Sequence, residues 1–440
     1  MSDAKRKFGW GVKISILLLM VVQMLQSTVN PSLTGIMQEF PGYDTTTYQT
    51  IINIATITEC VAALIVGLLV RKIGFKTIVV IGCILALAGS VTPVFMGNSV
   101  EIMIGIRAVF GVGYGICYAV PVAAVGEFWE GKEATQMAGL ITLFAGAAGI
   151  VFNLACSAII AAVGDANWRM IYQMGWVIVP ILIMGLIFIP QRNPEIDKKA
   201  EALGRNSNVD FAGLGKDFWL LMVGVVLTLG AVCVFMNNIG MVVIGTAIMN
   251  PAAGLGDPAA AGASIGIIMT GFSVGLMLGG PIFIFSYNLL KRYAMPVYLL
   301  IDAVCFLLMI VAPGFITFCI WAAIIGIIFG CINSTWYEMM GPKCINPAAG
   351  ALAGSLYVVV AGVAQFIGPF WMDFAAEKIF QQPELDMVTF SSGNPYYQYY
   401  PAIAVLVIGG VFLLIMAIKN HGVPDYEKKK EAAAVADAAA

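Results

Sequence analysis

Arg107, Gly111, Tyr114 and Tyr118 fall at offsets 0, 4, 7 and 11, so a helix over this stretch carries all four on one face. A planar guanidinium grips a carboxylate through two parallel hydrogen bonds, and tyrosines beside it add hydroxyls and ring faces. That chemistry is recognition of an organic anion. Gln23, Gln26, Ser27 and Asn30 repeat the pattern at offsets 0, 3, 4 and 7, a stripe of amide and hydroxyl groups without charge. Asn153, Asn237, Asn333 and Gln365 are further amides set in apolar surroundings, with Ser334, Tyr337 and Tyr357 close by in sequence. Glu59 stands alone among apolar neighbours. Desolvation penalises the charged form of such a carboxyl, the condition for a group that loads and releases a proton. Asp302 and Asp373 are the other acids in apolar runs; Asp302 reads as structural, and Asp373 could pair with Lys378.

No constellation for covalent or metal chemistry accompanies these groups. The chain has one histidine, His421, and nine scattered cysteines with no Cys-x-x-Cys pair. Zinc sites and disulfide frameworks need clustered ligands, so the cysteines read as buried small-residue packing, and neither an enzyme nor a cofactor is expected.

The elements that position these side chains follow from composition. The chain has 440 residues, 60% apolar and 11% charged, with a mean hydropathy of +0.91. Soluble domains run near ~25% charged and ~45–50% apolar, so a water-soluble enzyme of this length is excluded. A net charge of −2 leaves no basic surface for nucleic acid. Twelve apolar runs stand out, at 14–38, 46–70, 77–98, 100–127, 134–163, 169–190, 217–247, 262–288, 294–312, 314–339, 348–377 and 396–419. Each has the ~18 residues that cross the hydrocarbon core as a helix. The division between the ninth and tenth rests on Pro313-Gly314 alone. The first run is too long for a signal-peptide core, and no small-residue cleavage site follows it.

Within that frame the polar residues acquire meaning. Arginine inside a span costs ~2.5–3.5 kcal/mol on insertion scales, so Arg107 needs a wet cavity or fixed acceptors. It either binds substrate or holds structure. The amide stripe must face water or another polar helix, never lipid. Of the 23 basic residues, all but Arg107, Arg169 and Lys378 fall on one set of connections if the N-terminus is inside. The positive-inside rule then puts both termini in the cytoplasm of a multi-pass protein of the cell membrane. The polar stretch 191–216 is the longest cytoplasmic connection. It divides the chain into a six-helix unit at 1–190 and another at 217–419, followed by a tail at 420–440. Ile106–Gly111 aligns with Ile325–Gly330 at an offset of 219, which also takes Gly149 to Gly368, as a duplicated unit would.

Three local motifs resemble one family. The connection after the second run reads Gly67-Leu68-Leu69-Val70-Arg71-Lys72-Ile73-Gly74-Phe75-Lys76, similar to the Gly-x-x-x-Asp-Arg/Lys-x-Gly-Arg/Lys-Arg/Lys loop of the major facilitator superfamily, with Arg71 where that family has Asp. Arg107-Ala108-Val109-Phe110-Gly111-Val112-Gly113 resembles its helix-four pattern, and Trp168-Arg169-Met170-Ile171-Tyr172 its Trp-Arg-x-x-Phe start of helix six. The resemblance covers essentially the whole chain. It implies an all-α membrane protein of twelve transmembrane helices in two pseudo-symmetric six-helix bundles, acting as a monomeric secondary transporter. It also implies a structural role for Arg107. Cytoplasmic gate candidates are Arg71, Lys72, Gly74 and Lys76, with Glu127 and Glu338 at the ends of the fourth and tenth runs. The expected partners are lipid, a small organic solute (an anion on the strength of Arg107) and protons as the candidate coupling ion through Glu59. Export of amphipathic or aromatic compounds and a transporter-like sensor are the rival expectations.

Overall fold

The structure, a computed structural model, describes residues 9–128, 131–191, 215–258, 261–340, 350–384 and 393–418, with every regular element among them helical. Twelve helices are long and apolar enough to cross a membrane. They are α1 (Trp10–Glu39), α2 (Thr45–Ile73), α3 (Phe75–Phe95), α4 (Val100–Phe128), α5 (Gly131–Val163) and α6 (Asp165–Phe188), then α7 (Gly215–Val232, resuming after Cys233 as Val234–Met249), α8 (Gly262–Leu290), α9 (Ala294–Val311), α10 (Phe315–Met340), α11 (Gly350–Lys378) and α12 (Tyr399–Ile418). The weakly marked ninth boundary is a true break, because α9 ends at Val311 before Pro313 and α10 restarts at Phe315. Residues 192–214 of the predicted linker and the tail from 419 lie outside the described residues, as does Cys344.

Lipid tails are as apolar as leucine, so these helices need close backbone approach rather than hydrophobic segregation to associate. Glycines supply it. Gly111 and Gly115 on α4 sit directly on Ala55 and Glu59 of α2, where a methyl group would clash with backbone. Gly275 on α8 meets Ala323 of α10, and Gly326 of α10 meets Phe272 of α8. The pair α2–α4 thus recurs as α8–α10, six helices later. Gly111 faces Ala55 on α2 and Gly330 faces Gly279 on α8, which gives the sequence offset its structural counterpart.

Let the near face be the end where α1 begins and the far face the end where it finishes. Arg169 organises the far face of the first six helices. Its guanidinium donates to the carbonyls of Pro93 (2.8 Å), Met96 (3.2 Å) and Gly97 (2.9 Å) and pairs with Glu39 at 2.5 Å, closing the carbonyl end of α3. Trp168 donates to the same Glu39 at 2.9 Å. On the near face Gly74 holds a φ of 96°, a conformation that favours glycine, and starts α3 beside Gln191, whose carbonyl accepts from Phe75 N at 2.9 Å.

The two halves meet asymmetrically. One continuous apolar core joins the far-face residues Val29, Leu33, Ile36, Ile51, Ile160 and Trp168 of the first half to the interior of the second. A separate core, with Leu19, Val66, Phe75, Cys117 and Ile181, belongs to the near side of the first half alone. Polar ties reinforce the far contact. Asn30 Nδ2 donates to Met236 O at 3.2 Å, and the buried carboxylate of Asp165 accepts from Gly262 N at 3.0 Å, capping the first turn of α8 from across the interface. Asp165→Ala is expected to raise hydrogen exchange at the amides of 262–265 by about tenfold or more, the loss of one charge-assisted hydrogen bond. Asp165→Asn, which keeps an acceptor, should have a smaller effect. Unchanged exchange in Asp165→Ala would show that this contact does not hold the far face shut.

Candidate functional site

Pro31 lacks the N–H that would bond one turn back, and α1 tightens into a 3-10 turn at Leu25–Thr28 just ahead of it. That turn lies at mid-height and sets Gln23, Gln26 and Asn30 against a cavity of about 480 Å³ between the two halves. From α2 the wall takes Asn53, Thr56 and Glu59, from α4 Tyr114 and Tyr118, and from α5 Ile141 and Ala145. The second half contributes Met236 and Asn237 of α7; Met269, Phe272, Ser273 and Leu276 of α8; Phe329, Asn333 and Ser334 of α10; and Tyr357 and Gln365 of α11. Met20, Tyr118, Ile141 and Ser334 all lie on the near-face side of the interface contacts, so the cavity sits beneath a closed far face.

The close seating of α4 on α2 has a chemical result. With Gly111 and Gly115 against the backbone of α2, Tyr114 between them reaches Glu59 and donates its hydroxyl to Oε2. Both side chains are over nine-tenths buried, and both line the cavity. An acid and a hydroxyl at the wall form a unit able to hold or hand over a proton.

Arg107 shares the face of Tyr114 and Tyr118, as the spacing predicts, but not their height. Seven residues along a helix are about 10 Å of rise, and at that level α1 and α2 have closed together. Arg107 is 1% exposed and lies behind the wall. Nη2 donates to Gln26 Oε1, Nε donates to Ile51 O at 3.3 Å, and the guanidinium rests over the ring of Phe110 at 5.2 Å. Gln26 in turn donates to Ile52 O at 3.0 Å, so its amide is gripped from both sides.

Of the other predicted residues, Gln23, Asn30, Asn237, Asn333 and Gln365 line the cavity. Asn237 Nδ2 donates to Gln365 O at 3.1 Å, and Tyr357 donates to Asn333 Oδ1 at 2.7 Å. Asn153 is fully buried outside the wall and ties α5 to α8 by donating to Met269 O (3.2 Å) and Ser273 Oγ (3.0 Å). Asp302 is buried in α9, away from the lining. Asp373 accepts from Gln398 instead of pairing with Lys378, whose partner is Glu377. The backbones at Ser27, Arg71, Lys72, Glu127, Tyr337 and Glu338 are helical, but these side chains lie outside the described residues, which leaves Gly74 and Lys76 of the gate candidates. Sequence reasoning missed Asn53 and Thr56. The signal was present, since Gln49, Asn53 and Thr56 at offsets 0, 4 and 7 form a stripe on α2 like that on α1.

The sequence profile of the Major Facilitator Superfamily matches residues 15–369. No curated protein sequence matches the chain. Among solved structures the fold is similar to the nucleoside transporter NupG, at 14% identity and a TM-score of 0.68, covering 92% of this chain and 99% of that one. It is also similar to the peptide transporter POT in complex with sulfate (13% identity, TM-score 0.64, 92% and 94% covered). A POT family transporter in complex with 5-aminolevulinic acid gives 11% identity and a TM-score of 0.65, with 92% and 96% covered. At these identities the likeness is one of fold.

Proposed function

The chain belongs to the Major Facilitator Superfamily, a transporter of small solutes and not an enzyme, and from that membership we propose that it works by alternating access with Glu59 as its proton-coupling carboxyl. The observation that carries the reading is the Glu59–Tyr114 pair on the wall of a central cavity, between halves whose shared apolar core lies on its far side. Rocking that opened the far contact and closed the near one would turn the same carboxyl toward the other solution. Substrate and proton would then be linked through one conformational equilibrium. Expectation of an organic anion rests on Arg107, which meets the cavity only through Gln26. A second reading, carriage of amphipathic or aromatic compounds, is favoured by the methionines and phenylalanines of the wall.

The test is uptake of a labelled panel of small solutes into proteoliposomes with and without an imposed pH gradient. At least one solute should accumulate against its gradient when the proton gradient is present. Facilitated equilibration alone, for every solute carried, would remove the coupling.

In this reading the near face is cytoplasmic, the protein sits in the cell membrane as a monomer, and the cavity opens inward. Reporter fusions after Lys199 and after Lys430 should both report the cytoplasm. An external signal from either would reverse the orientation.

A further inference from the structure

We infer that the cavity takes an amphipathic solute with an uncharged or cationic hydrogen-bonding head, its head held by the first half of the chain and its apolar body by the second. This rests on the reading of the cavity as the transport site and names the class of solute that fits it.

Three observations converge. The first is an imbalance in hydrogen bonding across the cavity. On the second half three polar side chains donate back into their own bundle: Asn333 to Phe329 O at 2.9 Å, Ser334 to Gly330 O at 2.9 Å and Ser273 to Met269 O at 3.1 Å. On the first half, Gln23 Oε1, Asn30 Oδ1 and Asn53 Nδ2 are buried at the wall without a partner. Asn30 and Asn53 are 5% and 2% exposed. A buried amide left unpaired is costly until a bound group pairs it. Turned toward a solute, these three atoms ask for donors at two points and an acceptor at one, which is the surface of an amide or hydroxylated head; an amidinium supplies the two donors.

The second observation is charge. Among the described residues no lysine, arginine or histidine lines the cavity, and Glu59 is its one carboxylate. Tyr114 occupies Oε2, leaving Oε1 to face a solute. In a low-dielectric site a carboxylate opposes a second anion and favours a cation or an N–H donor.

The third is the opposite wall. Met236, Met269, Phe272, Leu276 and Phe329 form an apolar shelf, and the Phe272 ring is fixed between Phe235 (centroids 5.6 Å apart) and Phe329 (5.8 Å). A wall of rings fixed in this way packs against an apolar body, and the methionines adapt to its outline.

Three probes with one body and different heads test this: 2-naphthamidine, 2-naphthamide and 2-naphthoate, bound at equilibrium to the purified full chain. The amidine and the amide should each bind at least about tenfold more tightly than the carboxylate, the scale of one hydrogen bond to a charged group. Glu59→Gln should bring the amidine down to the affinity of the amide. Phe272→Leu should weaken all three alike, and a monodisperse Phe272→Leu protein serves where Phe272→Ala does not fold. Tightest binding of the naphthoate, or no binding of any probe, would overturn the inference. So would a head preference unchanged in Glu59→Gln together with affinities unchanged in Phe272→Leu, because the probes would then sit elsewhere. If the expected order and variant effects hold but proteoliposomes carry none of the probes, the solute chemistry stands and the transport reading fails.

Discussion

Glu59→Gln protein in proteoliposomes is expected to lose all proton-driven accumulation of solute while retaining solute exchange down a concentration gradient. Glutamine has the shape of a protonated carboxyl and keeps an oxygen for the Tyr114 hydroxyl, so the α2–α4 seam closes as before. What disappears is the group that changes charge. The wild-type protein should accumulate more solute as the imposed pH gradient steepens, and the variant should show a flat response. Folded Glu59→Gln protein that accumulates solute at the wild-type level would reduce Glu59 to a helix-packing group, and the coupling site would have to be sought elsewhere. The loss predicted is complete rather than partial because Glu59 is the one carboxylate among the described residues that line the cavity.

The second large effect is expected at Arg107, and it is one of stability. Removing the side chain in Arg107→Ala deprives Gln26 Oε1 of its donor deep in the protein, takes a second donor from Ile51 O and leaves a void beside Phe110. The orphaned Gln26 oxygen costs about 1–3 kcal/mol, and the void adds to that. The folded yield of Arg107→Ala should fall severely and its unfolding temperature by many degrees. Arg107→Lys should lie between, since an ammonium keeps the charge but cannot reach two separated acceptors with a planar fork. Whatever fraction of either variant folds should retain most of its solute affinity. A variant of wild-type stability that had lost affinity would restore Arg107 as the anion-binding residue that its chemistry first suggests.

The contrast between these two residues marks where sequence is informative. Twelve spans were legible because hydrocarbon demands long uninterrupted apolar runs, and even the weak break at Pro313-Gly314 lies where a helix ends. The face shared by Arg107, Tyr114 and Tyr118 was legible because helical periodicity fixes direction around an axis. Depth along that axis was not. Whether a residue meets the cavity or the closed packing above it depends on how separate helices converge, as α1 and α2 do over Arg107, which no local pattern encodes. Asp165 shows the same limit: its partner is a backbone N–H 97 residues onward. Asn153 read as a lining amide because its surroundings are apolar, whereas its partners on α8 are themselves buried. Asp373 sits close to Lys378 in sequence, yet Gln398, in the turn just ahead of α12, reaches it. Asn53 and Thr56 are a different case, a stripe that periodicity alone could have revealed.

The glycine seams have a consequence for how this gene can vary. Every single-base change that replaces a glycine yields a residue with at least a Cβ, and at Gly111, Gly113, Gly275 and Gly326 that atom would land on the backbone of the neighbouring helix. The methionines and phenylalanines of the shelf can exchange for residues of similar bulk with little effect on folding. Inactivating alleles should therefore gather along the seams, while alleles that change what is carried gather on α7, α8 and α10 at the cavity. Under selection for a new solute, the lineage would keep its glycines and rewrite its shelf.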